Sequence, residues 1–370
     1  MANTNLTKAK NTKNDEFYTQ FNDIQKEINA YLDYDENVFR DKTILLPCDD
    51  PEWSNFTKFF AQNFNRFGIK KLISTSYAKD SKTKLYGQLD LFEDADFITN
   101  SEKYDPENNN SKGKIFTLEK GDIPVDIDNL KWDYLEGDGD FRSDEVKKLR
   151  DEADIVITNP PFSMFREFIA WLLEGQNKNK KIMFSVIGNL NAISYKEIFP
   201  LIKENKLWLG SSIHSGDREF GVPKSYPLNA ASFRVDSEGN KFIRVKGVRW
   251  YTNIEHGRRH QPLQLMTKAD NIKFNKKIKI TPYPHYDNYD AIEVCVTNGI
   301  PSDHSGIMGV PISFLDKYCP EQFDILGMAS SAGYNPNIVG INFLGQKDAR
   351  PLINNKNTYA RVFIRHKESL

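Results

Sequence analysis

Residues 153–172 read ADIVITNPPFSMFREFIAWL, and this stretch sets the expected architecture. A run of aliphatic residues over 154–158 predicts a buried strand. An asparagine and two prolines then end that strand, and apolar residues recur at helical spacing afterwards: Phe165, Phe168, Ile169 and Leu172. The stretch therefore predicts a strand, a rigid turn and a helix, which together form the repeating unit of an α/β fold.

The same alternation extends to both sides of this stretch. Helices are predicted over 21–32, 54–68, 163–175 and 194–206, and strands over 42–50, 70–77, 154–158 and 181–189. Ser54 is the expected N-cap of the second helix and Gly68 its left-handed end. Residues 79–114 are rich in Lys, Asp, Asn and Ser and predict a polar insertion or long loop. The pattern predicts a doubly wound, mostly parallel sheet with helices on both faces, and ligands at the carboxyl ends of its strands.

Composition narrows the class of protein. The 370 residues are 39% hydrophobic, and no apolar run approaches the ~20 residues that a membrane span requires. The polar start, MANTNLTKAKNTKNDEFY, lacks the apolar core of a secretory signal. Cys48, Cys295 and Cys319 are isolated, and the histidines show no zinc spacing. We therefore expect a cytoplasmic protein with no membrane segment and no metal site.

Charge is unevenly distributed along the chain. Residues 241–370 hold 18 Lys and Arg against 11 Asp and Glu, or +7, which leaves 32 against 40, or −8, for residues 1–240. Within the basic half, KFIRVKGVRWYTNIEHGRRHQPL (241–263) mixes arginines with aromatic residues. Such a segment is typical of phosphate contact with stacking surfaces nearby, although an ordinary solvated surface is the alternative.

The turn NPPF (159–162) has a chemical interpretation. Proline lacks a backbone N–H and has a nearly fixed φ, so Asn159 and Pro160 present rigid carbonyl acceptors. Two convergent acceptors suit a substrate amine with two N–H bonds, and Phe162 offers a flat face on which a ring can stack. Hydrogen bonds from both amine protons favour a pyramidal nitrogen whose lone pair can attack an electrophilic methyl group. The alternative is a purely structural turn between a strand and a helix, a common role for Asn-Pro.

At these residues the chain resembles a known family. NPPF resembles the catalytic motif of S-adenosylmethionine-dependent amino-methyltransferases, a motif that is shared with enzymes acting on cytosine N4 or protein glutamine. Longer segments resemble EcoRI-type adenine-specific DNA methyltransferases more particularly: NDEFYTQ (14–20), PCDDPEWSNF (47–56), ITNPPFSMF (157–165), SGDREFGVPKSYPL (215–228), RWYTNIEHGRRHQPL (249–263) and IPSDHSGIMGVPISFLDKY (300–318). The resemblance covers nearly the whole chain.

The resemblance implies a class I methyltransferase-like sheet, S-adenosylmethionine as cofactor, and catalytic roles for Asn159, Pro160 and Phe162, with Asn159 also beside the cofactor. The segment DEFYTQ implies contacts to the methionine end of the cofactor by Phe17, Tyr18 and Thr19, and a polar loop is the alternative.

PCDD stands where class I methyltransferases normally carry a glycine-rich turn, so the chain departs from that pattern. Cys48, Asp49 and Asp50 are then candidates for the cofactor's ammonium group, or the two carboxylates simply cap the following helix. In YLEGDGDFRSDE (134–145), the resemblance implies that Asp140 and Phe141 meet the cofactor's adenine, with a solvated acidic turn as the alternative. The ribose contact stays unassigned between Ser76 and Tyr77.

The order of segments resembles the gamma arrangement of amino-methyltransferases, with target recognition at the carboxy terminus. We therefore predict a catalytic domain over 1–210 and a basic target-recognition region over 211–370. Arg218, Arg249, Arg258 and Arg259 are the candidates for contacting DNA phosphates or bases. The implied partner is double-stranded DNA, with a monomeric enzyme and a cognate restriction endonuclease acting separately.

The predicted activity is sequence-specific transfer of a methyl group to N6 of an adenine turned out of the duplex. Two alternatives from other classes stay open at this point: an RNA or protein-glutamine methyltransferase, and a DNA-binding relative without activity. The missing glycines near Cys48 motivate the second. A nuclease is disfavoured because the sequence shows no convincing cluster of carboxylates and lysine at a metal site.

Overall fold

The computed structural model describes residues 18–78, 108, 111–121, 130–176, 181–214, 217–222, 233–330, 339–341, 344 and 349–367. These residues form two compact units. The first lies within Met1–Leu190 and Ser215–Ile254, and the second within Asn191–His214 and Glu255–Leu370. Each unit is built from both helices and strands, so the fold class is α/β. The predicted functional division near residue 210 stays a prediction.

A large mixed sheet forms the centre of the first unit. Its strands are β2 (Thr43–Leu46), β3 (Lys71–Thr75), β4 (Lys114–Glu119), β5 (Asp133–Tyr134), β6 (Ile155–Thr158), β7 (Met183–Asn189) and β12 (Val248–Thr252). They lie side by side in the order β5-β4-β3-β2-β6-β7-β12. The neighbours β3, β2, β6 and β7 are parallel, whereas β4, β5 and β12 pair antiparallel. The sheet is therefore mixed, with parallel pairing at its centre and antiparallel pairing towards its edges, and the predicted doubly wound, mostly parallel arrangement stays a prediction.

Among the described residues, the helices that accompany this sheet include α1 (Phe21–Leu32), α2 (Asn55–Gln62), α3 (Phe64–Phe67), α4 (Asp144–Glu152) and α5 (Phe165–Gln176). Ser185 and Thr252 are cross-strand partners and point to one face, so the adjacent Tyr251 points to the other. Tyr31 of α1 hydrogen-bonds Ser185 across 2.8 Å, whereas the Phe165 ring lies 5.0 Å from that of Tyr251. Helices α1 and α5 therefore cover opposite faces.

Most predicted elements occur within one or two residues of their expected bounds. Ser54 caps α2 by accepting a hydrogen bond from the Phe56 amide at 3.0 Å, and Gly68 ends α3 with φ of 64°. The predicted helix over 194–206 is wrong in extent: only α6 (Phe199–Lys203) is helical. Pro200 explains this, because it is tolerated only in the first turn of a helix. Most of the predicted insertion at 79–114 lies outside the described residues.

A second, antiparallel sheet of the first unit has the order β1-β9-β11-β10. It joins β1 (Tyr18–Thr19), β9 (Asp217–Val222), β11 (Lys241–Lys246) and β10 (Phe233–Val235). Strand β1 precedes the large sheet in sequence, whereas β9 lies between β7 and β12 of that sheet, about two hundred residues after β1. This sheet therefore brings two distant chain segments together.

The second unit carries α6, β8 (Trp208–Leu209), α7 (Lys268–Phe274), α8 (Lys276–Ile280) and a four-stranded sheet. The order of that sheet is β13 (Ile292–Glu293), β14 (Met308–Pro311), β18 (Arg361–His366) and β15 (Phe323–Ala329). A separate hairpin, β16 (Leu352–Ile353) with β17 (Lys356–Asn357), also belongs to the second unit. Tyr286, Tyr289 and Phe363 are buried in its hydrophobic core. Among the described residues of the whole chain, no helix is both long and apolar enough to cross a bilayer.

Candidate active site

The candidate site begins where three parallel strands end. Strands β3, β2 and β6 are neighbours, and their carboxyl ends lead into Ser76, into the loop 47–50 and into NPPF. Thr158, the last residue of β6, donates a hydrogen bond from Oγ1 to Oδ2 of Asp49 at 2.6 Å. The loop after β2 and the motif NPPF are therefore joined directly, as expected for the ligand edge of such a sheet.

Asp49 is the centre of this junction. It is buried, and its other carboxylate oxygen, Oδ1, accepts a hydrogen bond from Ser54 Oγ at 2.6 Å. Its amide donates to the Thr75 carbonyl at 2.9 Å, and its carbonyl accepts a hydrogen bond from the Ser74 hydroxyl. Burial raises the pKa of Asp49 to about 7, and the hydrogen bonds from Ser54 and Thr158 only partly oppose this. Both oxygens are thus occupied by hydroxyl groups of neighbouring elements.

Asp50, the next residue, is in a different environment. It is half-buried; its Oδ1 accepts a hydrogen bond from the Glu52 amide at 2.9 Å, and its Oδ2 lies 3.4 Å from Lys114 Nζ. Lys114 also pairs with the carboxylate of Glu52. Burial disfavours the charge on Lys114, but the two carboxylates outweigh it and raise the pKa of the lysine. Of the two adjacent aspartates, Asp50 is the one that pairs with a cation among the described residues.

NPPF leaves the sheet as an extended turn. Asn159 is half-buried with its Oδ1 atom inside the protein, and Pro160 is buried. The Pro161 carbonyl accepts a hydrogen bond from the Met164 amide at 2.9 Å, which starts a single 3₁₀ turn over Phe162–Met164 before α5. The side chain of Phe162 is half-buried. The turn's own hydrogen bond therefore goes to Pro161 and not to Pro160.

The second sheet brings β1 to this motif. Phe220 of β9 is the cross-strand partner of Thr19, and its ring centroid lies 6.3 Å from that of Phe162 in an edge-to-face arrangement. Asn55 Nδ2 donates a hydrogen bond to the Thr19 carbonyl at 2.8 Å. Within the described part of the chain, the buried Thr19 hydroxyl has no hydrogen-bond partner. A buried hydroxyl of this kind fits a polar ligand beside β1.

The segment DEFYTQ contains three predicted cofactor contacts. Tyr18 and Thr19 lie beside α2 and β9, whereas Phe17 lies outside the described residues. Tyr18 packs against Gly221. A Cβ atom added to Gly221 would lie 3.4 Å from the Tyr18 Cβ. Sequence reasoning missed Phe220. The available signal was the alternation in DREFGV, which places Arg218, Phe220 and Val222 on one face of a strand.

The loop carrying Asp140 and Phe141 also reaches this edge of the sheet. The Ala78 amide donates to the Asp138 carbonyl at 2.7 Å, and the Ser76 carbonyl would lie only 2.1 Å from a Cβ at Gly139. Gly139 has φ of 76°, so this position requires glycine on both counts. The loop therefore packs closely against the end of β3.

The two side chains of this loop are already engaged. Burial raises the pKa of Asp140, but hydrogen bonds from Arg142 outweigh burial and lower it; one of these, from Nη2, is 2.6 Å long. Phe141 is buried against the rings of Phe168 and Trp171 at 5.1 and 5.7 Å. Contact of these residues with a cofactor adenine stays a prediction. The Ser76 hydroxyl accepts a hydrogen bond from the Lys114 amide at 3.2 Å.

The predicted DNA-contacting arginines of the first unit differ in exposure. Arg218 in β9 is half-buried, and its Nε lies 3.9 Å from Asp23 Oδ1. It shares a strand face with Phe220, two residues away. Arg249 in β12 is only 5% exposed, and its Nη1 donates to the Val248 carbonyl at 2.8 Å. Arg218 is the more accessible of the two.

The two predicted arginines of the second unit hold local structure. Arg258 Nε donates to the Asp316 carbonyl at 3.2 Å, and its Nη1 contacts His214 Nε2 closely. Arg259 is buried: its guanidinium lies 3.8 Å above the Trp208 ring and donates to Glu255 at 2.9 Å and Asn205 at 2.8 Å. DNA contact by these arginines stays a prediction. Within the described ranges, no group of three or more His, Cys, Asp or Glu is arranged to hold a metal ion.

Comparison with known proteins gives matches that span nearly the whole chain. The model of the family described as "Adenine-specific methyltransferase EcoRI" matches residues 5–367. The chain is 39% identical over 362 residues to the Type II methyltransferase M.EcoRI of Escherichia coli, across 98% of this chain and 96% of that protein. It is 33% identical over 369 residues to M.MgeORF184P of Mycoplasma genitalium (98% and 99%) and 31% identical over 371 residues to M.MpnI of Mycoplasma pneumoniae (99% and 99%). No solved structure matches the chain.

Proposed function

The chain belongs to the family of EcoRI-type adenine-specific methyltransferases, and we propose that it uses S-adenosylmethionine to methylate N6 of an adenine turned out of duplex DNA. The observation that carries the proposal is the junction of NPPF with the loop after β2, made by the 2.6 Å hydrogen bond from Thr158 to Asp49. It joins the catalytic motif to the loop that stands where related sheets bind the cofactor.

The residues around this edge fit the proposed cofactor. Its ammonium group calls for an anion, which the half-buried Asp50 supplies, and its polar methionine end calls for a hydrogen-bonding partner such as the buried Thr19 hydroxyl. Tyr18 lies next to Thr19 in β1, and Cys48 lies in the loop that carries Asp50. When bound, S-adenosylmethionine supplies an electrophilic methyl group. Asp49 is assigned to positioning, because both of its carboxylate oxygens already accept hydrogen bonds from Ser54 and Thr158.

The catalytic motif acts on the adenine amine. The Asn159 side-chain carbonyl and the Pro160 backbone carbonyl accept the two amine protons, which localises the nitrogen lone pair for attack. Phe162 stacks on the purine, which offsets part of the cost of extruding the base, roughly a few kcal/mol. Phe220 supports the Phe162 ring from the side. The chain needs no side-chain nucleophile for this reaction.

The substrate and surroundings follow from the same proposal. Double-stranded DNA is the acceptor, and the region after residue 210 recognises the target sequence. The large sheet of the catalytic part has the class I, doubly wound arrangement. Arg218 and Arg258, the two half-buried arginines, are the best of the four candidates for reaching DNA. The enzyme acts in the cytoplasm as a monomer, and a cognate restriction endonuclease acts separately.

The test is to incubate the purified protein with S-adenosylmethionine and unmethylated genomic DNA, and to map N6-methyladenine at single-base resolution. We expect the mark in one short sequence context. Parallel reactions with RNA and with a glutamine-containing protein serve as acceptor controls. If cofactor binds but the mark appears only on RNA or protein, the pocket assignment stands and the proposed substrate is wrong.

A further inference from the structure

The helices α7 and α8 of the second unit present a concentrated positive surface that the predicted arginine set does not include. Residues 261–286 contain five lysines and one acidic residue, Asp270, which accepts a hydrogen bond from Thr267 at 2.7 Å. Four of the lysines are exposed, and we refer to them as the α7–α8 lysine surface: Lys273, Lys276, Lys277 and Lys279. Four like charges within seven residues repel one another in the absence of an anion.

These four lysines have no carboxylate partner within the described residues, which distinguishes them from many other lysines of the chain. Lys71 pairs with Glu119 at 3.0 Å, Lys120 with Asp41 at 2.9 Å, and Lys206 with Glu204 at 2.7 Å. On the α7–α8 lysine surface, the described contact of an ammonium group is that of Lys273 with the Phe274 ring at 4.9 Å. The surface therefore carries a local positive charge that the described part of the chain does not neutralise.

Large apolar side chains are exposed between the lysines. Phe274 is 63% exposed and Ile280 is 82% exposed, each next to a lysine in sequence. Isolated exposed apolar residues are common, but two such residues among unpaired cations indicate a contact surface. The mixture of ammonium groups and apolar groups matches the alternation of phosphates and sugar rings along a nucleic-acid backbone.

The opposite side of these helices is firmly anchored, so the surface is presented in a fixed orientation. Ile278 is fully buried against Gly299, where an added Cβ would lie 2.7 Å from the isoleucine. Asn275 caps α8 by accepting hydrogen bonds from the amides of Lys277 and Ile278. Tyr283, just after α8, donates a hydrogen bond to the Gly299 carbonyl at 2.8 Å. Lysines on an anchored element lose less backbone freedom on binding than lysines on an unanchored one.

We propose that the α7–α8 lysine surface binds the phosphate backbone of the duplex independently of sequence, while Phe274 and Ile280 contact the adjoining deoxyribose rings. The proposal rests on the proposed function, because it assigns this surface to the same DNA substrate. It adds a phosphate-contacting element to the predicted arginine set. Phosphate contacts of this kind set affinity and salt dependence but carry no base specificity.

The experiment compares two variants of the full-length protein, each with four exposed lysines changed to glutamine. The test variant carries K273Q, K276Q, K277Q and K279Q; the control carries K26Q, K70Q, K131Q and K148Q, whose positions are exposed lysines of the first unit. Fluorescence anisotropy gives Kd for a duplex with the target site and for one without it, at several KCl concentrations. Both variants change net charge equally, so only a local contact distinguishes them.

We expect the slope of log affinity against log salt to become shallower by about 3 to 4 in the test variant, because each phosphate contact contributes about 0.9. The affinity loss should be the same for both duplexes, with kcat at saturating DNA unchanged. A double variant, F274A with I280A, should weaken binding while leaving the slope unchanged. If the fourfold variant does not fold, single substitutions should each reduce the slope by about 0.9.

Other outcomes would overturn the proposal. An unchanged slope, or an equal change in the control variant, excludes a local phosphate contact. Unchanged DNA binding together with loss of binding to anionic phospholipid vesicles assigns the surface to a membrane instead. Methylation of duplex DNA by the wild-type protein is measured in the same preparation. Its presence with an unchanged slope rejects this inference alone, whereas its absence rejects the proposed function as well.

Discussion

At the scale of single residues, the proposed chemistry depends most on Asn159. Its position is fixed by the preceding Thr158, which is tied to the buried Asp49. We expect Asn159→Ala to lower the single-turnover methylation rate by about 10²- to 10³-fold, as removal of one hydrogen-bonding group from a preorganised site typically does. The affinity for S-adenosylmethionine, measured by calorimetry, should stay nearly unchanged. Asn22→Ala, at an exposed position of α1, is the control. A near-normal rate for Asn159→Ala would show that Asn159 is not needed as a hydrogen-bond acceptor for the amine.

Asp49 predicts an unusual dependence of stability on pH. Its pKa is about 7 in the folded protein, well above the ordinary aspartate pKa of about 3.9, so the folded state holds this proton where the unfolded state has lost it. The free energy of unfolding therefore falls as pH rises from about 4 to about 7 and is lowest above that range, by on the order of 4 kcal/mol at most. This is opposite to the usual behaviour of a carboxylate paired with a cation.

The pH dependence of Asp49 can be isolated with Asp49→Asn, which keeps the shape of the side chain but cannot titrate. Urea unfolding at pH 5, 6, 7 and 8 should show a decline for the wild type that is smaller in the variant, so that their difference changes with pH. Asp33→Asn, at an exposed position, should parallel the wild type. Parallel curves for wild type and Asp49→Asn would show that the carboxyl group is not buried in its acidic form.

The roles of these residues differ in how far sequence could predict them. NPPF indicated its chemistry because residue types alone specify carbonyl acceptors and a flat ring. The role of Asp49 was not predictable, because it depends on Thr158, which lies 109 residues away in sequence. Nothing in PCDD distinguishes the aspartate that turns inward from Asp50, which stays within reach of a cation.

At the scale of elements, the second sheet predicts a role for Phe220. Phe220→Leu keeps an apolar side chain at this buried site, so we expect a stability loss below about 1.5 kcal/mol. It removes the edge-to-face contact with Phe162, so kcat/KM for DNA should fall about 3- to 10-fold, equivalent to about 0.5–1.5 kcal/mol. Phe233→Leu, 46% exposed in the same sheet, is the control. Equal effects of both changes on kcat/KM would remove Phe220 from the site.

The elements themselves were largely predictable, whereas their pairing was not. Apolar periodicity, the Ser54 cap and Gly68 defined α1, α2 and the central strands because these signals are local. The antiparallel strand β12 pairs with β7 across about sixty residues, and β1 pairs with β9 across about two hundred. Such partners are chosen by tertiary packing, which a single sequence does not display.

At the scale of the whole molecule, the charge division and the compact units do not coincide. The basic region counted from residue 241 begins inside the first unit, since β11 and β12 belong to it. A functional border at 210 would therefore cut through the first compact unit. The two descriptions agree if target recognition uses surfaces of both units, with the α7–α8 lysine surface contributing from the second.

The interleaving of the units leads to a prediction about fragments. A fragment of residues 1–210 lacks β12, and so exposes the edge of β7, whose residues 184–187 are buried in the intact protein. It also lacks β9 and β11, which pair with β1 and with each other. An exposed apolar strand edge promotes aggregation, so we expect this fragment to be insoluble or to melt without cooperativity.

A fragment of residues 1–260 retains all of these strands and should melt cooperatively and bind S-adenosylmethionine. Size-exclusion chromatography and thermal circular dichroism of the two fragments provide the comparison, and a monomeric, cooperatively melting 1–210 fragment would show that the large sheet does not need β12.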